Sequence, residues 1–378
     1  MRAKVFLMRR AIEILCVLVV LAGRAGVSEG AKKMTIDPRA SLIDVSARRE
    51  ELQHTKSTRV LDALAHLEKC GKLAPVDAPT GSMNIPHHYL NGSHGPTNPA
   101  EREATRVYSQ FEKRVTSGMN QFLATGDHGE AACAQAQIDQ WAQANALLDY
   151  DAQESSQSWY QVEWTLSAIA ISESVLLNDG ALDSSVTARD VAWMNKVAHH
   201  LLATPKIAQE RNNHHYWKGL AAIATGVISE DEGLFGFGVQ AYFDGINEID
   251  KRGALPLEMA RHELAIHYQS FAVEPLIPIA EFAERQHIPL SSYKSPSGKT
   301  IADAIEFLGE AVADPSIVKA YTPETQESSP TGPEFFAALE FYRHRYPDRS
   351  LPTSIQEGLT RPTFATRLGG STTVLAGQ

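Results

Sequence analysis

The sequence is poor in cysteine, has no excess of basic residues, and carries no long apolar run after its first thirty residues. Three cysteines in 378 residues exclude a disulfide-rich scaffold, and a net charge of −10 argues against a protein that binds nucleic acid. The CxxC and HExxH patterns of metal sites are also missing, so we predict neither a metal nor another cofactor. The 43% of hydrophobic residues is enough for a large core, as one big domain or two ordinary ones.

The first thirty residues have the pattern of a secretory signal peptide. Basic residues at positions 2, 4, 9 and 10 precede a mostly apolar run over residues 12–22, and small residues follow it. The run is short for a membrane span. We therefore predict a signal peptide over residues 1–30 and a periplasmic or secreted protein with no membrane contact after cleavage. The alternative is an uncleaved membrane anchor.

Cys16 lies within the predicted signal peptide, so the exported protein keeps only Cys70 and Cys133. Cys70 and Cys133 can form a disulfide bond in an oxidising compartment. The alternative is a pair of buried free thiols, since cysteine is often buried.

From residue 57 onward, apolar residues recur at helical spacing, and no stretch shows the alternation typical of a strand. After a first helix near residues 60–67, helices are predicted over residues 100–123, 132–148, 157–177, 186–202, 216–228, 234–249, 258–284, 300–312 and 333–344. Pro275 and Pro278 are expected to kink or split the longest of them. About ten helices with short links and no repeat of fixed period predict an all-α fold, an antiparallel (α/α) toroid or barrel formed by residues 31–350.

Two regions interrupt the helical pattern. Residues 74–99 are rich in proline and glycine and include His87, His88 and His94. A long loop inside a compact domain is often a lid, and a surface excursion is the alternative. Residues 351–378 have few large apolar groups, so we predict a terminal tail that frays.

Residues 211–217 concentrate two carboxamides, two imidazoles, a phenol, an indole and a guanidinium. An apolar run over residues 219–228 follows, so the cluster is predicted at the mouth of a buried helix. Asparagine and histidine can bind a ligand carboxylate, and histidine can move a proton near neutral pH. The alternative is a plain helix start in which Asn212 or Asn213 is the N-cap.

Arg261 and Tyr268 lie seven residues apart in a second cluster. Two helical turns bring side chains at this spacing to one face, about 10 Å apart along the axis. On an inner face, such a pair can bind a carboxylate and hold a proton donor beside it. Spacing alone leaves open the alternative of a surface arginine and a core tyrosine.

The string NNHxYW at residues 212–217, followed by LPLExxR at residues 255–261 and by Tyr268, resembles the alginate lyase family, the periplasmic mannuronate lyases. The resemblance covers most of the chain after the signal peptide. It implies an (α/α) toroid with a deep cleft, and β-elimination without a metal. Carried over residue by residue, the active-site residues of the family fall on Asn213, His214, Arg261 and Tyr268.

Three positions depart from the family pattern. His215 stands where many members have a small residue, and Gln269 and Ser270 replace a His-Asn pair. These departures affect the expected sugar preference and leave the four active-site positions unchanged.

The chemistry of β-elimination accounts for these residue types. The C5 proton of a uronate becomes removable only when the charge of its carboxylate is neutralised. Asn213 is predicted to donate through its amide and Arg261 to supply a permanent charge, while His214 and Tyr268 are the candidates for base and acid. Six further side chains are predicted to contact the substrate, namely Tyr89, Arg211, His215, Tyr216, Trp217 and His267.

In β-D-mannuronate the C5 hydrogen and the C4 oxygen lie on one ring face, so Tyr268 alone can carry out both proton transfers. We therefore predict a monomeric lyase that binds an anionic polysaccharide and prefers the mannuronate-rich parts of alginate, with polyglucuronate as the nearest rival substrate. Two other classes remain open. One is a glycoside hydrolase with Glu163, Glu258 or Glu263 as its acid, and the other is a non-catalytic polysaccharide-binding protein.

Overall fold

The computed structural model describes residues 34–92, 95–204, 207, 210–327 and 332–378. The signal peptide predicted over residues 1–30 lies outside these ranges. The helices described are α1 Val45–His54, α2 Thr58–Ala65, α3 Pro99–Thr125, α4 His128–Gln143, α5 Ser156–Leu176, α6 Ser184–Ala203, α7 Asn213–Ile228, α8 Glu232–Glu248, α9 Pro256–Met259, α10 Ala265–Arg285, α11 Ile301–Ala313, α12 Leu339–Arg345, α13 Thr353–Gly358 and α14 Thr372–Ala376. Short 3-10 turns lie at Cys70–Lys72, His262–Leu264, Leu290–Ser292, Pro315–Ala320 and Thr366–Leu368.

The all-α prediction is confirmed, because the residues described here pair only in isolated bridges and form no strand. In the same part of the chain, no helix combines the length and the apolar character needed to cross a membrane. The predicted helices from α3 to α8 differ from the observed ones by a few residues at their ends.

Buried and half-exposed helices alternate along the chain. Every residue of α7 is buried, and so is most of α5, whereas α4, α6 and α8 each expose one side. The buried α7 packs against α5, α8 and α10, and α3 packs against α4 and α5. Inner helices surrounded by outer partners form the (α/α) toroid that the sequence predicts.

Glycines allow α7 and α8 to approach closely. A Cβ atom on Gly219 would lie 2.5 Å from the Cβ of Ala241, and one on Gly238 would lie 2.5 Å from the Cβ of Ile223. Any larger residue at either position would push the two helices apart. The close contact fixes the position of α7, whose first turn carries the polar cluster.

The helix predicted over residues 258–284 is interrupted at its start. It consists of α9, the turn His262–Leu264 and α10, and His262 has a left-handed backbone with φ 53°. Pro275 and Pro278 were expected to kink or split the helix. They do not split it, because both lie inside the continuous α10. Pro275 cannot donate to the carbonyl of Phe271, and the indole Nε1 of Trp217 donates to that oxygen instead at 3.1 Å.

Cys70 and Cys133 form the predicted disulfide bond, with their Cα atoms 6.1 Å apart. The bond ties the turn Cys70–Lys72 to α4 across a sequence separation of 63 residues. Closing a loop of this length stabilises the folded state by about 4 kcal/mol in the chain-entropy model.

Residues 351–378 do not fray, which corrects the prediction of a tail. Arg48 donates to the backbone oxygens of Thr373, Val374 and Gly377 at 2.8–2.9 Å. The side chain of Asn120 donates to the oxygen of Gly369 at 2.7 Å and accepts from the nitrogen of Ser371 at 2.8 Å. These partners come from α1 and α3, so hydrogen bonds to its backbone help to fix the segment. Its aliphatic side chains are also buried, namely Leu351, Ile355, Leu359, Leu368, Val374 and Leu375.

The loop over residues 74–99 is fixed at its start and contributes to the cleft at its end. The backbone nitrogen of Met83 donates to the oxygen of Asp149 at 2.8 Å, and that of Ile85 donates to the hydroxyl of Ser158 at 3.0 Å. Tyr89 then pairs in isolated bridges with Gly92 and Thr97. Ser93 and His94, which the sequence places in this loop, lie outside the described residues.

Candidate active site

A cavity of about 740 Å³ opens where the inner helices, the loop and the C-terminal segment meet. The side chains that matter for its chemistry are His87, His88 and Tyr89 from the loop, Tyr160, Gln161 and Trp164 from α5, His214 from α7, Arg261, His267, Tyr268 and Phe271 in and before α10, and Arg367 from the turn Thr366–Leu368. A smaller pocket adjoins it and shares His88, Tyr89 and His267.

His214 is the residue through which α7 reaches the cavity. The side chain of Asn212 caps the helix by accepting from the nitrogen of His214 at 3.0 Å. The imidazole stacks on Tyr160, with ring centroids 3.4 Å apart and planes 7° from parallel. Its Nδ1 lies 2.5 Å from Oε1 of Glu163, so Nε2 is the ring nitrogen left for a bound molecule.

Arg261 and Tyr268 both line the cavity, but their arrangement differs from the predicted one. Because of the interruption before α10, they do not share a helix face, and the guanidinium carbon of Arg261 lies 3.6 Å from the centroid of the Tyr268 ring. The hydroxyl oxygens of Tyr268 and Tyr89 are 3.4 Å apart. Burial raises the pKa of Tyr89, so its hydroxyl keeps its proton across the neutral range.

Asn213 does not line the cavity. Its backbone nitrogen donates to one carboxylate oxygen of Glu258 at 2.6 Å, and its side-chain Nδ2 donates to the other at 3.0 Å. The backbone oxygen of Glu258 in turn accepts from the nitrogen of Arg261 at 3.1 Å. The Asn213–Glu258 pair therefore joins the helix start that carries His214 to the segment that carries Arg261.

Four of the predicted substrate contacts lie elsewhere, which corrects those predictions. His215 contacts Asp244 of α8 at 2.9 Å, Tyr216 donates to Glu248 of the same helix, Trp217 is buried against α10, and Arg211 is exposed outside the cavity. Each step along a helix rotates the side chain by about 100°, so one residue of the cluster faces the cavity while its neighbours face α8 and α10. The other two predicted contacts, Tyr89 and His267, do line it.

Arg367 is one of the cavity residues that were not predicted from the sequence, together with Tyr160, Gln161 and Trp164 of α5. Its guanidinium carbon lies 4.7 Å from the ring centroid of Trp164, 5.0 Å from that of Phe271 and 5.5 Å from that of Trp217. This stacking adds a second arginine to the cavity wall. The following Gly369 and Gly370, both with φ above 90°, mark the turn that presents it, and this Gly-Gly pair is the one local signal in the sequence.

The glutamates considered for hydrolysis are not placed as general acids of this cavity. Glu163 is bound to His214 and Glu258 to Asn213, and neither lines the cavity, while Glu263 borders the smaller pocket. Glu274 does line it, and burial raises the pKa of its carboxyl to about 8, with Arg367 opposing the shift. Among the described residues, no group of three His, Cys, Asp or Glu side chains has the geometry to hold a metal ion.

Comparisons with known proteins agree with this arrangement. The profile of the alginate lyase family matches residues 30–318. A polysaccharide lyase from Stenotrophomonas maltophilia is 30% identical over 279 residues, which are 73% of this chain and 80% of that protein. An alginate lyase from Pseudomonas syringae pv. syringae is 29% identical over 285 residues, covering 72% of this chain and 73% of the relative.

Solved structures give the same result. Alginate lyase A1-III from Sphingomonas species A1 superposes with a TM-score of 0.83 at 36% identity, over 93% of this chain and 100% of that one. A variant of alginate lyase A1-III complexed with a tetrasaccharide gives a TM-score of 0.85 at 36% identity, over 93% and 99%. Since the family profile spans well over half of the sequence and the matched structures share its toroid, the chain belongs to the alginate lyase family of polysaccharide lyases.

Proposed function

We propose that the protein cleaves the mannuronate-rich parts of alginate by β-elimination, with Tyr268 as the group that transfers the proton. The observation that carries this proposal is the convergence of Tyr268, Arg261 and His214 on one cavity. In support, the relatives are named alginate or polysaccharide lyases, and one matched structure is complexed with a tetrasaccharide. We also propose that residues 1–30 direct the protein out of the cytoplasm.

The first requirement of the reaction is neutralisation of the C5 carboxylate. Arg261 carries a permanent charge and a planar set of donors that fits a carboxylate. His214 presents its Nε2 to the same cavity, because Glu163 occupies Nδ1. Together these two side chains stabilise the negative charge that develops when the C5 proton leaves, and such a donor is worth on the order of 10²–10³ in rate.

The second requirement is proton transfer on one face of the sugar. The phenolate oxygen of Tyr268 takes the C5 proton, the electron pair forms the C4–C5 double bond, and the C4–O bond breaks. The phenol then returns its proton to the leaving oxygen. The Arg261 guanidinium lies over the Tyr268 ring, and the Tyr89 hydroxyl, 3.4 Å from the Tyr268 oxygen, is placed to hydrogen-bond to it.

The third requirement is a place for the charged polymer in a protein whose net charge is −10. Arg367 supplies a second cation in the cavity, and its guanidinium stacks on the rings of Trp164 and Phe271. We assign Arg367 to the carboxylate of a uronate next to the reacting one. Arg261 and Arg367 thus place positive charge beside the polymer in a cavity that Glu101, Glu112, Glu274 and Glu334 also line.

The proposal is tested by incubating the protein with polymannuronate, polyguluronate and polyglucuronate and following ultraviolet absorbance. Elimination leaves a C4–C5 double bond conjugated to the carboxylate, which absorbs, whereas hydrolysis gives reducing ends without absorbance. We expect absorbance to rise fastest with polymannuronate. Faster cleavage of polyglucuronate would overturn the substrate assignment, and new reducing ends without absorbance would overturn the reaction.

A further inference from the structure

Glu163 is a fully buried carboxyl that touches the cavity only through His214. Its side chain has 0% exposure, and it lies on α5 behind the imidazole. Oε1 lies 2.5 Å from Nδ1 of His214, while Oε2 has no hydrogen-bond partner among the described residues. Tyr160 stacks on one face of the imidazole and fixes the plane of the ring, while the contact with Glu163 fixes which ring nitrogen faces the cavity.

The number of protons shared by this pair decides what His214 can do. With two exchangeable protons on the pair, one lies between Oε1 and Nδ1 and the other is on Nε2, which is then a hydrogen-bond donor toward the cavity. With one proton, the carboxylate holds the Nδ1 hydrogen and Nε2 is a lone pair, which is then a base. The same two side chains therefore give either a donor or a base.

The surroundings favour the state with two protons. Burial lowers the pKa of His214 and raises the pKa of Glu163, so each side chain prefers its uncharged form and the carboxyl keeps a proton. The charged and titratable groups that face the pair are Lys218, Glu210, Arg261, Arg367, Tyr150 and Tyr160. The buried ammonium of Lys218 favours an ionised Glu163, but burial is the larger effect on that carboxyl.

We propose that Glu163 is a positioning residue that keeps His214 a hydrogen-bond donor, so that Nε2–H binds the uronate carboxylate and does not remove the C5 proton. This inference rests on the proposed function. It goes further, because it makes Glu163, a residue outside the cavity, responsible for which uronates the enzyme can cleave.

The limit follows from the ring geometry. In α-L-guluronate the C5 hydrogen and the C4 oxygen lie on opposite faces, so Tyr268 cannot serve both and a second residue must act as base. His214 is the side chain placed for that role, and a proton on Nε2 removes it. Elimination is then restricted to uronates in which the two groups lie on one face, namely mannuronate and glucuronate.

The test compares Glu163→Gln and Glu163→Leu with the wild type, using polymannuronate across a range of pH. The glutamine amide can donate to Nδ1 as the protonated carboxyl does, and it cannot lose that proton near neutral pH. In the wild type, loss of the Glu163 proton at alkaline pH should lower turnover, because Nε2 of His214 then stops being a donor. We expect Glu163→Gln to keep turnover within about tenfold of wild type and not to show this part of the decrease. Glu163→Leu leaves Nδ1 without a partner, and we expect a loss of about 100-fold, the scale of a misplaced transition-state donor.

Glu173→Gln is the matched control, because Glu173 is a second fully buried glutamate on α5 that does not touch His214. We expect its pH profile to match that of the wild type. A second measurement does not depend on activity: ¹⁵N spectra of histidine-labelled protein, with His214 assigned from a His214→Gln variant, should show a proton on Nε2 at neutral pH.

The outcomes separate the two proposals. No absorbing product from any polyuronate with the wild type would overturn the proposed function. A working wild type, together with an unprotonated Nε2, would overturn the role of Glu163. Identical pH profiles for wild type and Glu163→Gln would overturn it as well.

Discussion

The two ends of α5 bury the same functional group in opposite surroundings. Glu163 and Glu173 lie ten residues apart on this helix, and both have 0% exposure. Glu163 is bonded to His214, whereas neither carboxylate oxygen of Glu173 has a hydrogen-bond partner among the described residues. A neighbour of Glu173 is another buried acid, Asp190 of α6, whose pKa is raised by burial and then by the charge of Glu173.

This difference shows that burial of a carboxyl does not by itself indicate function. Burial raises the pKa of both glutamates, that of Glu173 to about 7, because a charge is poorly solvated inside the toroid. At the cavity end, in our proposal, the retained proton sets the hydrogen bonding of His214. At the other end, the retained protons allow Glu173 and Asp190 to be buried side by side without two repelling charges. Substitutions at the cavity end should therefore change the reaction rate, and those at the acid pair should change stability.

The largest effect is expected for Tyr268→Phe. The ring and its contact with Arg261 remain, but the leaving oxygen and the C5 proton lose their transfer group, so turnover should fall by at least about 100-fold. Ultraviolet absorbance at saturating polymannuronate measures the turnover, and thermal unfolding should be close to that of the wild type.

Tyr216→Phe is the matched control for this loss of a hydroxyl. Tyr216 lies two residues after His214 on α7, is buried, and donates to Glu248, away from the cavity. Its loss should lower stability by about 1 kcal/mol and leave turnover near that of the wild type. If Tyr268→Phe kept more than about a hundredth of wild-type turnover, some other group would be the acid, and the proposed mechanism would be wrong.

A smaller effect on the reaction is expected for Arg367→Met. This change keeps the bulk stacked on Trp164 but removes the charge, so KM for polymannuronate should rise by about tenfold with a smaller change in kcat. The control is Arg189→Met, which removes the same charge from the exposed pair with Asp139. An equal rise in KM for both variants would mean that the overall field of the protein, and not a site in the cleft, attracts the polymer.

Helical periodicity was sufficient to predict most of the fold, and local motifs were sufficient for the part of the site that lies on one helix start. The prediction extended too far within the motif at residues 211–217, because a helix turns His215 and Tyr216 toward α8 as it brings His214 to the cavity. Arg261 was found by its motif, but its contact with Tyr268 depends on a left-handed residue at position 262 that no spacing rule indicates.

Arg367 shows why the rest could not be predicted. It lies beyond residues 30–318, where the family profile matches, and in a segment with the composition of a tail. Its position depends on Asn120 and Arg48, which are hundreds of residues away in sequence and bond to backbone atoms. Such contacts leave no pattern in the segment itself, because any residue supplies the carbonyl oxygen that they need.

The smallest expected effect belongs to Asp190→Asn, and it concerns stability alone. Burial, followed by the charge of Glu173, raises the pKa of Asp190 to about 9, against about 3.9 in an unfolded chain. The folded protein therefore holds this proton at pH values where the unfolded chain has lost it. The resulting stabilisation is fully present below about pH 4 and is lost as the pH rises through about 9.

Asparagine does not titrate, so the melting temperature of Asp190→Asn should gain on that of the wild type as the pH rises, by a few degrees at about pH 9. Glu173→Gln should show a similar gain that is nearly complete by about pH 7, the pKa of Glu173. The double variant should gain less than the sum, because part of the shift at Asp190 comes from the charge of Glu173.

Turnover on polymannuronate at neutral pH should be unchanged in all three variants. Melting temperatures parallel to those of the wild type at every pH would show that these acids do not titrate as a buried pair, and a change in turnover would remove the distinction between the two ends of α5.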